Sequence, residues 1–348
     1  MHTLAATPQT VHWGYFDRDL APALSVASGD LVEIEALTHH AGDAPDLLMD
    51  AGIERVFSHV RERGPGPHLL TGPIAIEGAR AGDVLQVDIL SAQPRLAYGS
   101  NLAGHWGALY GDFGKERVTV FELDAAAMSA RALFAYDWQA TPLVEAPGTV
   151  VAPDSVAREP ALEGVIVPLR PHFGTMGVAP AANGRHSSVP PGAHGGNIDN
   201  WRIGAGARMY YPVQVPGALL SVGDPHVSQG DGEISGTALE ASLSGVLRVS
   251  VRRDLHLSMP LLETPAELLV HAFGDDLDEA MRAAALLTIE LLGTRFGLRR
   301  DDAYSFCSLA VDFAITQVVD GRKGVHARID KRCLPFRSPR RLVAALGV

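Results

Sequence analysis

Residues Gly72 to Ile89 read GPIAIEGARAGDVLQVDI. Apolar residues recur at every second position at both ends, Ile74 and Ile76 first, then Leu85, Val87 and Ile89. That period of two is the signature of a half-buried strand. The glycines at 78 and 82 mark a turn between two strands. The same alternation returns in Asp30 to Leu37 (DLVEIEAL), in Arg117 to Leu123 and in Gly245 to Arg252. Gly-Asp pairs at 29–30 and 82–83 suit turns entering strands. A second strand–turn–strand pattern is expected near Val213 to Val222, and an N-terminal strand around His12 and Trp13. Glycine and proline punctuate short Val, Ile and Leu runs throughout, with no repeat of solenoid or propeller length.

The last third reads differently. Asp275 or Asp276 can cap a helix whose first turn carries Asp278 and Glu279. Leu277, Met281, Ala284, Thr288 and Leu291 share one face, and Gly293 is the expected stop. A shorter helix follows from about Asp301, with Cys307 in its core face. Then Phe313 to Val319 and Val325 to Ile329 are expected to pair about an Asp320-Gly321 turn. The predicted fold is α+β, predominantly β, ending in a helix pair and a hairpin. Residues 1–260 form the expected β-rich catalytic region, and residues 261–348 an α+β region packed on it.

Composition narrows the function classes. A net charge of −11 argues against a nucleic-acid partner. Basic residues gather only from Arg322 to Arg341, which reads as a solvated or interface-facing tail. The two cysteines, Cys307 and Cys333, make no disulfide framework or metal motif. No signal peptide and no membrane-length apolar run is seen, so a cytoplasmic protein is expected. Nucleophile-elbow, Walker A and Rossmann patterns do not occur.

Three segments hold more glycine and more potential ligands than turns require: PHFGTMGVAP (171–180), PPGAHGGNIDN (190–200) and GDPHVSQGDGE (223–233). Asp224 and His226 are two apart, as are Asp231 and Glu233. On extended backbone each pair would face one cavity. Carboxylate plus imidazole is a usual ligand set for a divalent metal. A spare carboxylate beside it, such as Glu233, could move a proton. The span from His194 to Glu233 is therefore the expected functional centre. His68 and the Gly104-His105-Trp106-Gly107 loop are weaker candidates, and of the His39-His40 pair one side chain is expected to be exposed.

These stretches, with LLTGPIAIEGARAGDVLQVDIL (69–90), YYPVQVPGALLSVGDPHVSQGDGEISGTALE (210–240) and ITQVVD (315–320), resemble the acetamidase/formamidase family. The resemblance implies a β-rich, oligomeric enzyme, a homodimer or higher homo-oligomer, that hydrolyses a small linear amide to a carboxylic acid and ammonia. It also implies a divalent metal, zinc above all, with calcium or manganese as other choices. On matching positions, Asp199, Asp224 and His226 would hold the metal. Glu233 would be the general base and then the acid, with Asp231 beside it. His68, His194 and Trp106 would line the substrate, and backbone N–H groups of Gly195 and Gly196 would face the oxyanion.

Two other readings stand beside this one. A lactamase or imidase opening a small cyclic amide would need a wider pocket, walled by Trp106, Phe173 and Trp201. A metal-containing protein that binds an amide without turning it over would need no spare carboxylate.

Overall fold

The computed structural model describes residues 1–334. Arg337, Arg340 and Arg341 of the basic tail lie outside them. The chain is mostly strand, in two large sheets and one small ribbon. The first sheet runs His2–Leu4, Leu31–Ala36, Leu243–Arg252, Val84–Pro94, Arg208–Pro212, Leu261–Glu263, Glu267–Gly274, Lys323–Asp330, Val311–Ile315. The sheet thus continues without a break across residue 260. The second sheet is centred on Leu220–Ser228, with His172–Gly177 on one edge and both Leu69–Ile76 and Leu239–Glu240 on the other.

Alternation along the strands decides how the sheets meet. In Leu31–Ala36, Val32, Ile34 and Ala36 are buried while Glu33 faces solvent. Val32, Ile34, Leu85, Val87 and Ile89 from the first sheet join Ile74, Phe173, Leu220 and Val222 from the second in one apolar cluster. The sheets therefore pack face to face, each inner face supplying every second residue.

The strands on either side of the Gly78–Gly82 turn do not pair. Leu69–Ile76 lies in the second sheet and Val84–Pro94 in the first. Arg208–Pro212 and Leu220–Ser228 cross between sheets in the same way. The two crossings bond to each other, Gly82 N–H to Val213 O at 3.0 Å and Gly217 N–H to Ala79 O at 3.0 Å. This corner fixes the second sheet's central strand against its neighbour.

The late helix runs Leu277–Phe296, three residues past the expected stop. Asp276 caps it by accepting from the Glu279 amide at 2.8 Å. Gly297, with φ of 69°, takes the left-handed turn that Gly293 was expected to supply. Its buried face is Ala280, Ala284, Thr288 and Leu291, while Met281 is exposed. Small residues win there because the sheet approaches closely: a Cβ on Gly274 would sit 2.6 Å from the Ala280 nitrogen. A second helix, Arg300–Ala310, buries Cys307.

The final hairpin pairs Val311–Ile315 with Lys323–Asp330. Residues 316–319, expected in the strand, leave the ladder. Gln317 Oε1 accepts the amides of Val319 at 2.8 Å and Asp320 at 3.1 Å. Gly232 donates to Thr316 O and accepts from Val318 N–H, so this loop is strapped to the 230–236 loop. No helix among the described residues is long and apolar enough to cross a membrane.

Candidate active site

Every residue of the strand Leu220–Ser228 is buried. Midway along it the partner on one edge changes: Gly223 pairs with Leu70, but His226 pairs with Glu240. Asp224 sits at this split. His68, just before the strand Leu69–Ile76, and Glu240 are both delivered there. Across the other edge Gly174 lies opposite Asp224, between the paired residues Phe173 and Thr175.

Asp224 and His226 meet as the spacing predicts, His226 Nε2 lying 3.2 Å from Asp224 Oδ2. The same nitrogen lies 3.2 Å from Glu240 Oε1. Asp224 Oδ2 is 3.7 Å from His68 Nε2, and its Oδ1 is 3.6 Å from His39 Nδ1. His68 is oriented by Ser188 Oγ, 2.9 Å from its Nδ1. Burial opposes ionisation of Asp224, but the His68 and His226 imidazoles outweigh it and hold the carboxyl far below the usual range. Burial likewise opposes charge on His226, yet Glu240 and Asp224 hold its pKa well above the ordinary value.

Beside this imidazole-rich half lies an all-carboxylate half. Donor atoms of Asp199, His226 and Glu233 lie within 4.8 Å of one another. Asp199, Glu233 and Asp320 are all buried, and all three are pushed well above the usual carboxylate range. Burial is the main cause in each. The next is an acidic neighbour: Asp320 for Asp199, Asp199 for Glu233, and Glu233 for Asp320. Asp199, Asp224 and Glu233 also have left-handed backbones, with φ of 50°, 47° and 45°. Side chains other than glycine rarely adopt that region, and such strain gathers at functional sites.

The acids open on a narrow cavity of about 30 Å³. Pro67, Trp106, Val144 and Val189 form its apolar wall, and no lysine or arginine lines it among the described residues. A larger groove of about 750 Å³ lies elsewhere and contains none of these site acids.

The residues fit a divalent cation. A Cβ on Gly174 would sit 2.5 Å from His226 Cε1, 2.7 Å from Asp199 Oδ1 and 2.8 Å from Asp224 Oδ2. The missing side chain thus leaves a cradle among three donor residues. Both Asp199 oxygens are buried without a hydrogen-bond partner. Several buried acids around the single His226 imidazole call for a further cation or for bound protons. Imidazole with carboxylate suits zinc or manganese better than calcium.

Not every expected residue arrives here. Asp231 faces outward, accepting from Trp201 Nε1 at 2.8 Å and pairing with Arg202 at 2.9 Å. Its segment is a turn, so the two-residue spacing to Glu233 does not put both on one face. His194 does not line the cavity; it packs half-buried against the Phe16 ring, and desolvation lowers its pKa to about 4. Gly195 donates its N–H to Gly192 O, and neither Gly195 nor Gly196 lines the cavity. Phe173 is wholly in the core, and Trp201 lies between Arg170 and Arg202, outside the cavity. His39 and His40 are both largely buried, His39 lining the cavity.

Four residues escape the sequence reading. Glu240 is an isolated acid in ALEASL, and Asp320 is masked by its resemblance to a turn residue before Gly321. His39 belongs to a pair that looked half exposed. Gln229 carries no signal of its own in the GDPHVSQGDGE stretch, but it binds both Asp199 and His226.

The pattern of the Acetamidase/Formamidase family matches residues 3–188 and 181–327. The acetamidase of Mycolicibacterium smegmatis is 34% identical over an alignment of 224 positions that covers 55% of this chain and 53% of that protein. The chain therefore spans about half the length of that acetamidase. The formamidase of Methylophilus methylotrophus is 27% identical over 363 residues, covering 87% of this chain and 84% of the relative. The crystal structure of an acetamidase from Bacillus halodurans superposes with a TM-score of 0.75 at 27% identity, covering 99% of this chain and 100% of the other.

Proposed function

The chain belongs to the acetamidase/formamidase family, and from that premise we propose that it hydrolyses a small linear amide to a carboxylic acid and ammonia. The observation that carries the reading is the meeting of Asp199, Glu233 and Asp320, buried and each raised above the usual carboxylate range, at a narrow cavity whose other wall is apolar. A short acyl group fits against Pro67, Trp106, Val144 and Val189, with its C–N bond toward the acids.

Glu233 is the proton carrier. Its pKa is raised by burial and by Asp199, so its ionised form is a stronger base than a free glutamate; it takes a proton from water and returns it to the leaving nitrogen. Water oxygen adds to the carbonyl carbon, the C–N bond breaks, and ammonia leaves with the returned proton. Asp199, Asp224 and His226 would hold a divalent metal, with Glu240, His39 and His68 within reach of Asp224 or His226. Such an ion would polarise the amide carbonyl and lower the pKa of a water beside it. Gln229 fixes His226 so that its Nε2 faces Asp224 and Glu240.

A homodimer or higher homo-oligomer is part of the same reading and rests on the family resemblance; a cytoplasmic location is proposed with it from the two free cysteines. The cavity's size disfavours a cyclic amide, since Trp106 is the one expected aromatic that lines it. Ammonia release from formamide and acetamide tests the proposal; ring opening of a γ-lactam with no release from either would replace it. Binding of amides without turnover of any would leave only a carrier.

A further inference from the structure

We propose that Glu116 sets how large an acyl group the cavity admits, by clamping the two loops that build its apolar wall. The proposal rests on the amidase reading above. Trp106 belongs to residues 104–109, between the strand Tyr98–Ala103 and the short helix Tyr110–Phe113. Val144 belongs to residues 139–150, after the strand Ser129–Trp138. Both side chains line the cavity from loops rather than strands; the Trp106 loop is also tied to its neighbour by Gly104 N–H to Ser235 O at 3.1 Å and Ala108 N–H to Ile234 O at 3.0 Å.

Glu116 begins the strand Glu116–Asp124 and is only 2% exposed. Its Oε1 accepts the N–H of His105, next to Trp106, at 3.2 Å. Its Oε2 accepts the N–H of Leu143, next to Val144, at 2.7 Å. One carboxylate thus holds both loops, one oxygen to each. The cations on either side of it in sequence do not neutralise it: Lys115 and Arg117 pair with Asp137. Burial raises its pKa, and the two amides work against that. A buried carboxylate without a cation is costly. Here the cost is offset by two charge-assisted hydrogen bonds to backbone that no strand secures. An outer contact, His105 Nε2 to Glu145 Oε1 at 2.9 Å, joins the same two loops. A glutamine in this place could accept from one loop only, because its amide hydrogens would face the other N–H.

The wall touches the acyl end and the acids hold the nitrogen end, so loosening the clamp changes discrimination between acyl groups. A single methylene in an apolar pocket is worth roughly 10- to 200-fold in discrimination. The experiment compares the full-length parent protein with Glu116→Gln, and with Glu116→Asp, whose shorter side chain cannot span both loops, should the first fail to fold. It reads amide hydrogen exchange at His105 and Leu143, and kcat/KM for acetamide against butyramide.

The expected result is exchange about tenfold faster at one or both amides. With it the acetamide-to-butyramide ratio should fall by about tenfold, mainly through KM for butyramide. Trp106→Ala should lower the ratio in the same direction, and adding Glu116→Gln to it should change the ratio little further. Faster exchange with an unchanged ratio would overturn the specificity role while leaving the amidase reading intact. Unchanged exchange at both amides would overturn the clamp itself. A parent protein that turns over neither amide would overturn the amidase reading, and this proposal with it.

Discussion

The side-chain Nε2 of Gln229 donates to the backbone carbonyl of Asp199 at 2.7 Å. A carbonyl only accepts, so this bond fixes which way the Gln229 amide points. Its Oε1 is then presented to His226 Nδ1 at 3.2 Å. One residue therefore sets both the position of Asp199 and the ring orientation of His226. Replacement of such supporting partners commonly costs about 10- to 100-fold in metal affinity or activity. Gln229→Leu is expected to lose metal affinity and kcat/KM within that range and to keep the parent circular-dichroism spectrum. Elemental analysis after dialysis checks it, and parental metal retention would contradict the positioning role.

Gly174→Ala should abolish function without abolishing the fold. The added Cβ would sit 2.5 Å from His226 and 2.7 Å from Asp199, in the space between the donor residues. The expected outcome is a folded protein with metal binding and turnover both lost. Amide turnover within tenfold of the parent would show that the cradle is not used.

Asp320 and Asp231 make a sharp contrast. Asp320→Asn removes one of three buried acids that raise one another, and a loss on the order of 100-fold in kcat is expected. Asp231→Asn breaks only an outer pair with Arg202 and Trp201, and kcat should stay within about twofold. The reverse ranking in steady-state assays would move the proton chemistry to the surface turn.

Stability should fall on mild acidification. His12 and His271 are buried, and burial lowers each to about 4. Above the unfolded value near 6.5 both states are neutral at these sites and nothing is lost. Between 6.5 and 4 the unfolded chain takes up protons that the folded chain refuses, so stability decreases. The urea midpoint is expected to be lower at pH 5 than at pH 7.5, and His12→Gln should shrink that difference. An equal pH dependence in parent and variant would show that His12 is not held neutral.

Much of this was legible in the sequence. The period of two in DLVEIEAL and DVLQVDIL, and the Asp276 cap, depend on local patterning and appear where expected. The Asp224–His226 pair was legible because its segment is a strand. Asp231 misled because the same spacing in a Gly-Asp-Gly turn obeys no such rule. Glu240, Asp320 and His39 reach the site through pairings far apart in the chain, such as His226 with Glu240 and Gly232 with the 316–318 loop. No local pattern encodes those contacts. The helix end moved to Gly297 because only there does the backbone turn left-handed.

The central claim is that Glu233 carries the proton in amide cleavage. The most direct measurement is ammonia release from formamide and acetamide by the metal-loaded parent and by Glu233→Gln, with metal content measured in both. Turnover by the parent is expected, with a fall of roughly 100-fold or more in kcat for the variant at equal metal content. Parental turnover in Glu233→Gln would contradict it, and so would a parent that releases no ammonia from either amide.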